Sequence, residues 1–138
     1  MIEPGVHAKE RERVERLAVD AVLAAETALG RTPTEMARNN KGYDIQSRVD
    51  GHGGKLLFIE VKGRVAGATE FTITKSEILT SLNKPEHFVL ALVRVRENDE
   101  TDVRYLREPF RGSEEIYFDM TSANYGWDEL FNRGVSPT

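Results

Sequence analysis

The 138-residue chain contains no cysteine. Disulfides, thiolate nucleophiles and every cysteine-bearing zinc site are excluded together. Histidine is nearly as scarce. His7, His52 and His87 are the three present, in an N-terminal segment, a glycine-rich turn and a loop, and none has the H-x-x-x-H spacing that sets two imidazoles on one helix face. A histidine-built metal site is not expected, which leaves oxygen ligands. No apolar run is long enough to cross a bilayer. The opening stretch MIEPGVHAKERERVERL mixes charges of both signs and has no apolar centre, unlike a secretory signal, so a cytoplasmic location is the expectation. An excess of positive charge is also missing: 19 Lys and Arg stand against 23 Asp and Glu, a net charge of -4. Tight, non-specific nucleic-acid binding by the chain alone is disfavoured, because phosphate contacts need a positive surface. A local basic patch remains compatible with that balance.

With 39% hydrophobic and 30% charged residues, the composition is that of a folded domain and not of a disordered tail. The length matches a single domain. From Ala8 to Leu29, apolar residues at Val14, Leu17, Ala18, Ala21, Val22, Ala25 and Leu29 recur at helical spacing, with Gly30 as the stop. Glu15 and Glu26 lie at the edge of that stripe. Arg31 to Gly42 reads as a polar connection. YDIQSRV and KLLFIEVKG flank the turn DGHGG and predict a hairpin. FTIT at 71–74 predicts a third strand and Lys75 to Leu82 a short helix. HFVLALVRVR at 87–96 predicts a buried strand, DVRYL at 102–106 its neighbour, and SANYGWDELFNRG a closing helix whose Trp127, Leu130 and Phe131 pack on the body.

The chemistry concentrates in the hairpin. Residues two apart in a strand share a face, so Glu60 and Lys62 point one way while Ile59 and Val61 point the other. A turn centred on His52 places Asp44 directly opposite Glu60, and the same register gathers Ile45, Val49, Leu57, Ile59 and Val61 on one apolar face. Two carboxylates across a strand pair repel each other unless something offsets their charge. Lys62 offsets part of it. A hard divalent cation such as Mg²⁺ or Mn²⁺ offsets more, since it takes one or two carboxylates together with water and substrate phosphate. Two carboxylates, a cation and a lysine are the minimum for phosphodiester hydrolysis.

The strings NNKGYDIQS, FIEVKGR, FTITKSEI and LALV, between Val14 and Val93, resemble the domain found at the C-terminus of the plant protein NO VEIN and in many bacterial proteins. The longer run FIEVKGRVAGATEFTITKSEILTSLNKPEHFVLALV, followed by YLREPF, is most similar to the version attached to bacterial Swi/Snf-type helicases. The resemblance implies an α/β, restriction-endonuclease-like three-layer fold, a central mixed sheet with an αβββαβ core flanked by helices. It sets Asp44, Glu60 and Lys62 at the positions of the PD-(D/E)xK nuclease motif, with Asp44 and Glu60 as Mg²⁺ or Mn²⁺ ligands and Lys62 as water-orienting base or phosphate contact. Nucleases of this type add an acid from the first helix. Glu15 and Glu26 compete for that place, and Val19 stands where an acid is expected.

The expected activity is metal-dependent cleavage of nucleic acid, with DNA and the helicase motor domains of the same polypeptide as partners. A catalytically silent binding or docking module on the same fold is the alternative, and a structural end cap for the helicase a third. Thr74 to Glu77 matches a capping box, so Glu77 is expected to cap a helix, although its position in the family after the third strand could bring it near the site. Arg94, Arg96, Arg104 and Arg107 are expected in salt bridges rather than as a basic face. Tyr43, Tyr125 and Trp127 are expected in packing. Lys75, Asn83 and Lys84 could touch a nucleic-acid backbone or simply end a helix.

Overall fold

A computed structural model describes residues 4–40, 42–51, 53–110 and 122–138. Its first element, α1 (Pro4–Ala28), opens with Pro4, whose fixed φ and missing N–H suit a first helical turn. One row of α1, spaced by four residues, is buried: Val14, Ala18, Val22 and then Glu26. That row corrects the helical-face reading in one respect. Glu26 does not border the stripe but continues it, whereas Glu15 is exposed.

Among the described residues, seven strands follow in two sheets. β1 (Thr32–Glu35), β2 (Ile45–Val49), β3 (Lys55–Val65), β5 (Phe88–Val95) and β6 (Thr101–Arg107) form a mixed five-stranded sheet in the order β1-β2-β3-β5-β6. β3 and β5 are parallel, and the other neighbours in this sheet are antiparallel. Between β3 and β5 the chain passes through β4 (Glu70–Thr74) and α2 (Lys75–Asn83). β4 pairs with β7 (Ser122–Gly126) in a separate two-stranded sheet, and α3 (Trp127–Arg133) closes the order.

Three differences from the sequence reading have physical causes. β1 falls in the stretch taken as a connection, because TPTE is polar, mostly exposed and carries Pro33, which only an edge strand tolerates. The FTIT strand forms, but its partner is β7, 52 positions away at Thr72 and Asn124, so no local pattern could reveal the pairing. The expected closing helix begins only at Trp127; the residues before it are strand.

The hairpin register agrees with expectation: Ile45 faces Ile59 and Val49 faces Lys55, the pairing of a turn centred on position 52. His52 itself lies outside the described residues. Alternation then separates two faces. Odd-numbered Ile45, Leu57, Ile59 and Val61 pack beneath Val14, Ala18 and Val22 of α1, together with Val89, Ala91 and Val93 of β5. On the other face, Phe88, Leu90 and Leu92 of β5 and Leu106 of β6 join Phe71, Ile73, Ile78, Trp127, Leu130 and Phe131. β5 is therefore buried on both sides, which explains its unbroken apolar sequence. Each such side chain contributes about 1.5–3 kcal/mol by leaving water.

Two glycines set the fit of the layers. A Cβ at Gly63 would lie 2.6 Å from Cβ of Ala18, so α1 crosses β3 at backbone contact there. Gly42 has φ +103°, and a Cβ on it would collide with the Thr80 hydroxyl on α2. The segment leading into Asp44 is thereby clamped on α2, in a conformation that suits glycine.

Candidate active site

β2 begins one residue after Asp44, and Asp44 extends the pairing along the edge of β3 with side chain as well as backbone. Its N–H donates to the Ile59 carbonyl at 2.8 Å, and its carbonyl accepts from Met36 N–H at 2.8 Å. Its Oδ2 accepts from the Val61 N–H at 2.8 Å. A carboxylate thus fills the place a strand carbonyl would otherwise hold. The side chain is pinned between Glu60 and Lys62.

Glu60 is 4% exposed. Lys62 Nζ lies 3.3 Å from Glu60 Oε2 and 3.0 Å from Glu77 Oε1. Glu77 does form the expected capping box: its side chain accepts from Thr74 N–H at 2.8 Å, and Glu77 N–H donates to Thr74 Oγ1 at 3.2 Å. The same Oε1 also receives the Lys62 ammonium. Sequence reasoning favoured the first of these roles and left open that the place of Glu77 after the third strand could bring it near the site. The signal lay in the box itself, which fixes a carboxylate at the start of a helix that returns over the sheet directly after β4.

Charge in this cluster is only partly balanced. Asp44, Glu60 and Glu77 face one lysine. Burial pushes the Glu60 carboxyl well above the usual range, and the nearby Asp44 charge pushes it the same way. Burial also raises Asp44, against the hydrogen bond from Val61 N–H. For Glu77, burial is outweighed by hydrogen bonding with Glu60, by the Lys62 charge and by the Thr74 N–H, so its carboxyl titrates low. Burial alone would lower Lys62, but Glu60 and Glu77 more than reverse it. Lys62 is therefore an ammonium at neutral pH, and burial makes the Glu60 carboxyl harder to ionise than an exposed glutamate.

The cluster opens into a cleft of about 250 Å³ lined by Glu15, Ala18, Val19, Asp44, Glu60 and Lys62 among others. Of the two helix acids considered, Glu15 reaches this cleft. Glu26 does not: it lies wholly buried elsewhere, its Oε2 bonded by Arg31 at 2.9 Å and by the Tyr105 hydroxyl at 2.7 Å. The donors at the cleft are hard oxygens, two of them in neighbouring carboxylates whose mutual repulsion a divalent cation would relieve. That donor set fits Mg²⁺ or Mn²⁺, which complete their coordination with water and phosphate. Among the described residues, no group of three or more His, Asp or Glu side chains is arranged to hold a metal unaided.

Several of the other residues singled out have structural partners. Arg96 pairs with Asp102 at 2.7 Å, and Arg94 lies over the Phe131 ring at 4.2 Å, with Arg104 near the same ring. Trp127 is buried between Phe71 and Phe131, and Tyr125 packs on Phe71 and Phe110. His87 Nδ1 sits 2.7 Å from the Leu56 carbonyl.

Comparison with known proteins places this arrangement. Residues 14–106 match the family described as protein NO VEIN, C-terminal. The chain belongs to this family. In this NO VEIN C-terminal domain the matched span runs from Val14, at the first buried position of α1, to Leu106 in β6, and so contains Asp44, Glu60, Lys62 and Glu77. No curated protein matches. Among solved structures, the chain is similar to the 1.6 Å structure of Hjc, a Holliday junction resolvase of Archaeoglobus fulgidus. The TM-score is 0.55 at 14% identity, over 91% of this chain and 89% of that one. At such identity the likeness is one of fold, and the domain has the restriction-endonuclease-like α/β fold. No helix among the described residues is long and apolar enough to cross a membrane.

Proposed function

We propose that this domain is a metal-dependent, nuclease-like phosphodiesterase module acting on nucleic acid, with DNA as substrate, within a larger helicase-type protein. The observation that carries the reading is the union of Asp44, Glu60 and Lys62 at one cleft, with both carboxylates under-neutralised. Asp44 and Glu60 would hold Mg²⁺ or Mn²⁺, and Glu15, the helix acid that reaches the cleft, would complete the acidic set. The ion, when bound, polarises the scissile phosphate and lowers the pKa of attacking water. Asp44 is held for its task by the Val61 N–H. Lys62, being an ammonium, has no lone pair with which to accept a proton, so its part is to contact the phosphate and offset developing negative charge. The motor domains supply the DNA affinity that a chain of net charge -4 lacks.

Incubation with Mg²⁺ or Mn²⁺ and single-stranded, duplex and branched DNA, alongside RNA, tests this. Cleavage is expected to disappear in Glu60→Ala and in Lys62→Ala; cleavage that survives both substitutions sinks the assignment. One observation favours a second reading, a silent binding module: Lys62 is already engaged by Glu60 and Glu77. That reading predicts no cleavage and no metal-dependent thermal shift.

A further inference from the structure

The two faces of the five-stranded sheet are not equally covered. α1 packs along the odd-numbered face of β2 and β3, while the second layer covers β5 and β6, and its core contains no residue of β1, β2 or β3. Among the described residues, the even-numbered face of β1, β2 and the first half of β3 is therefore left open. Its positions are Thr32, Thr34, Gln46, Arg48, Leu56 and Phe58. None of these is a carboxylate, in a chain with 23 Asp and Glu; the acid at the far end of the face is Asp50, whose Oδ2 accepts from Thr32 Oγ1 at 3.4 Å.

That face runs directly into the candidate active site. Phe58 precedes Glu60 by two residues on the same side of β3, a distance of about 6.6 Å along a strand. Tyr43 precedes Asp44, and its ring centroid lies 4.8 Å from that of Phe58. His87 continues the row at 5.9 Å from Phe58. All three rings are half-buried, so each keeps part of its surface in solvent. Lys84 and Asn83, both exposed, line a shallow cavity with Tyr43 and Phe58. No ion pair engages Arg48 or Lys84 among the described residues. A solvent-facing row of rings flanked by two free cations, with no acid between, matches the chemistry of unpaired nucleic acid: bases stack on the rings, and phosphates meet the cations.

We propose that this open face, Tyr43, Phe58 and His87 with Arg48 and Lys84, is a binding site for the single-stranded segment of a nucleic acid whose scissile phosphate lies at Asp44 and Glu60. The inference rests on the nuclease-like reading for its substrate class, but not on turnover. It gives the domain a preference for unpaired strands, ends or flaps, because the rings can stack only on bases free of a partner.

The test is fluorescence anisotropy of the chain with a short fluorescein-labelled single-stranded DNA, and with the corresponding blunt duplex, in EDTA at low salt. Single strands are expected to bind more tightly than the duplex. Tyr43→Leu is expected to weaken single-strand binding by about fivefold or more, the loss of one stacked base. Arg48→Glu and Lys84→Glu, at exposed positions that fold without them, should each weaken it and flatten its salt dependence. Arg133→Glu, at an exposed cation on α3 outside both this face and the cleft, should bind nearly as the unsubstituted chain does. Equal affinity for duplex, affinity unchanged in all three face variants, or no binding at all each overturns the proposal; the last would leave the face to a protein partner. Failure is separable from that of the function: face-dependent binding without cleavage keeps this site and removes the enzyme, whereas cleavage indifferent to the face variants does the reverse.

Discussion

Two buried glutamates show how differently one fold treats the same group. Glu26, on the fourth turn of the buried α1 row, has a private partner for its charge in Arg31 and a second donor in Tyr105. The Tyr105 hydroxyl is in turn held protonated, by burial first and then by the Glu26 charge. Glu60 shares a single lysine with Glu77 and faces Asp44 as well. The first glutamate is sealed in the core with both partners on Oε2, while its Oε1 is buried without a hydrogen bond among the described residues. The second is left wanting positive charge beside an open cleft. Structural ionic clusters are closed; a cluster that awaits a cation or a phosphate is not.

The contrast can be broken by experiment. Glu26→Ala is expected to cost about 3 kcal/mol in denaturant unfolding, since it strips Arg31 and Tyr105 of a buried partner. A loss under 1 kcal/mol would show that cluster to be dispensable. Next in size, saturating Mn²⁺ should stabilise the chain by about 2–3 kcal/mol at a hundredfold excess over its dissociation constant, with the shift absent in Glu60→Gln and intact in Glu26→Gln. A shift equal in both variants would place the ion elsewhere.

Glu60→Gln itself should gain about 1 kcal/mol at neutral pH without metal, the reverse of Glu26. The sign follows from the raised Glu60 carboxyl. Above the ordinary value of 4.5 the unfolded chain loses this proton first, so the folded state binds more protons and stability falls as pH rises towards the folded value. Below 4.5 both states are protonated and the penalty vanishes. Urea midpoints between pH 5 and 8 should therefore decline in the unsubstituted chain and flatten in Glu60→Gln. A parallel slope in both would remove Glu60 as the source. The smallest effect concerns Glu77: Glu77→Gln preserves the capping box and should change stability by only a few tenths of a kcal/mol, while Glu77→Ala costs about 1 kcal/mol.

Much of this was legible because it is local. Alternation in YDIQSRV and KLLFIEVKG, with glycines between, fixes the register, and the register puts Asp44 beside Glu60 and Lys62. What stayed hidden depends on partners far along the chain. The fate of Glu26 turns on Tyr105, 79 residues away, although its place four residues after Val22 already pointed inward. β4 and β7 meet only in three dimensions. Glu77 concealed its second contact behind a first that explained it fully. The choice between Glu15 and Glu26 became a matter of which one reaches the cleft, a question helical angle alone could not answer.

Gly63 bears on how related sequences should be sorted. It ends the string IEVKG, yet its role is to let Ala18 come within touching distance of β3, with no part in holding an ion or a phosphate. A relative that has lost all chemistry still has to seat its first helix, and would retain the glycine for that reason alone. Scoring the whole string therefore counts scaffold as if it were machinery. On the proposed reading, the carboxylate and the ammonium of the string, together with the aspartate across the hairpin, would be the letters by which a working copy is told from a retired one.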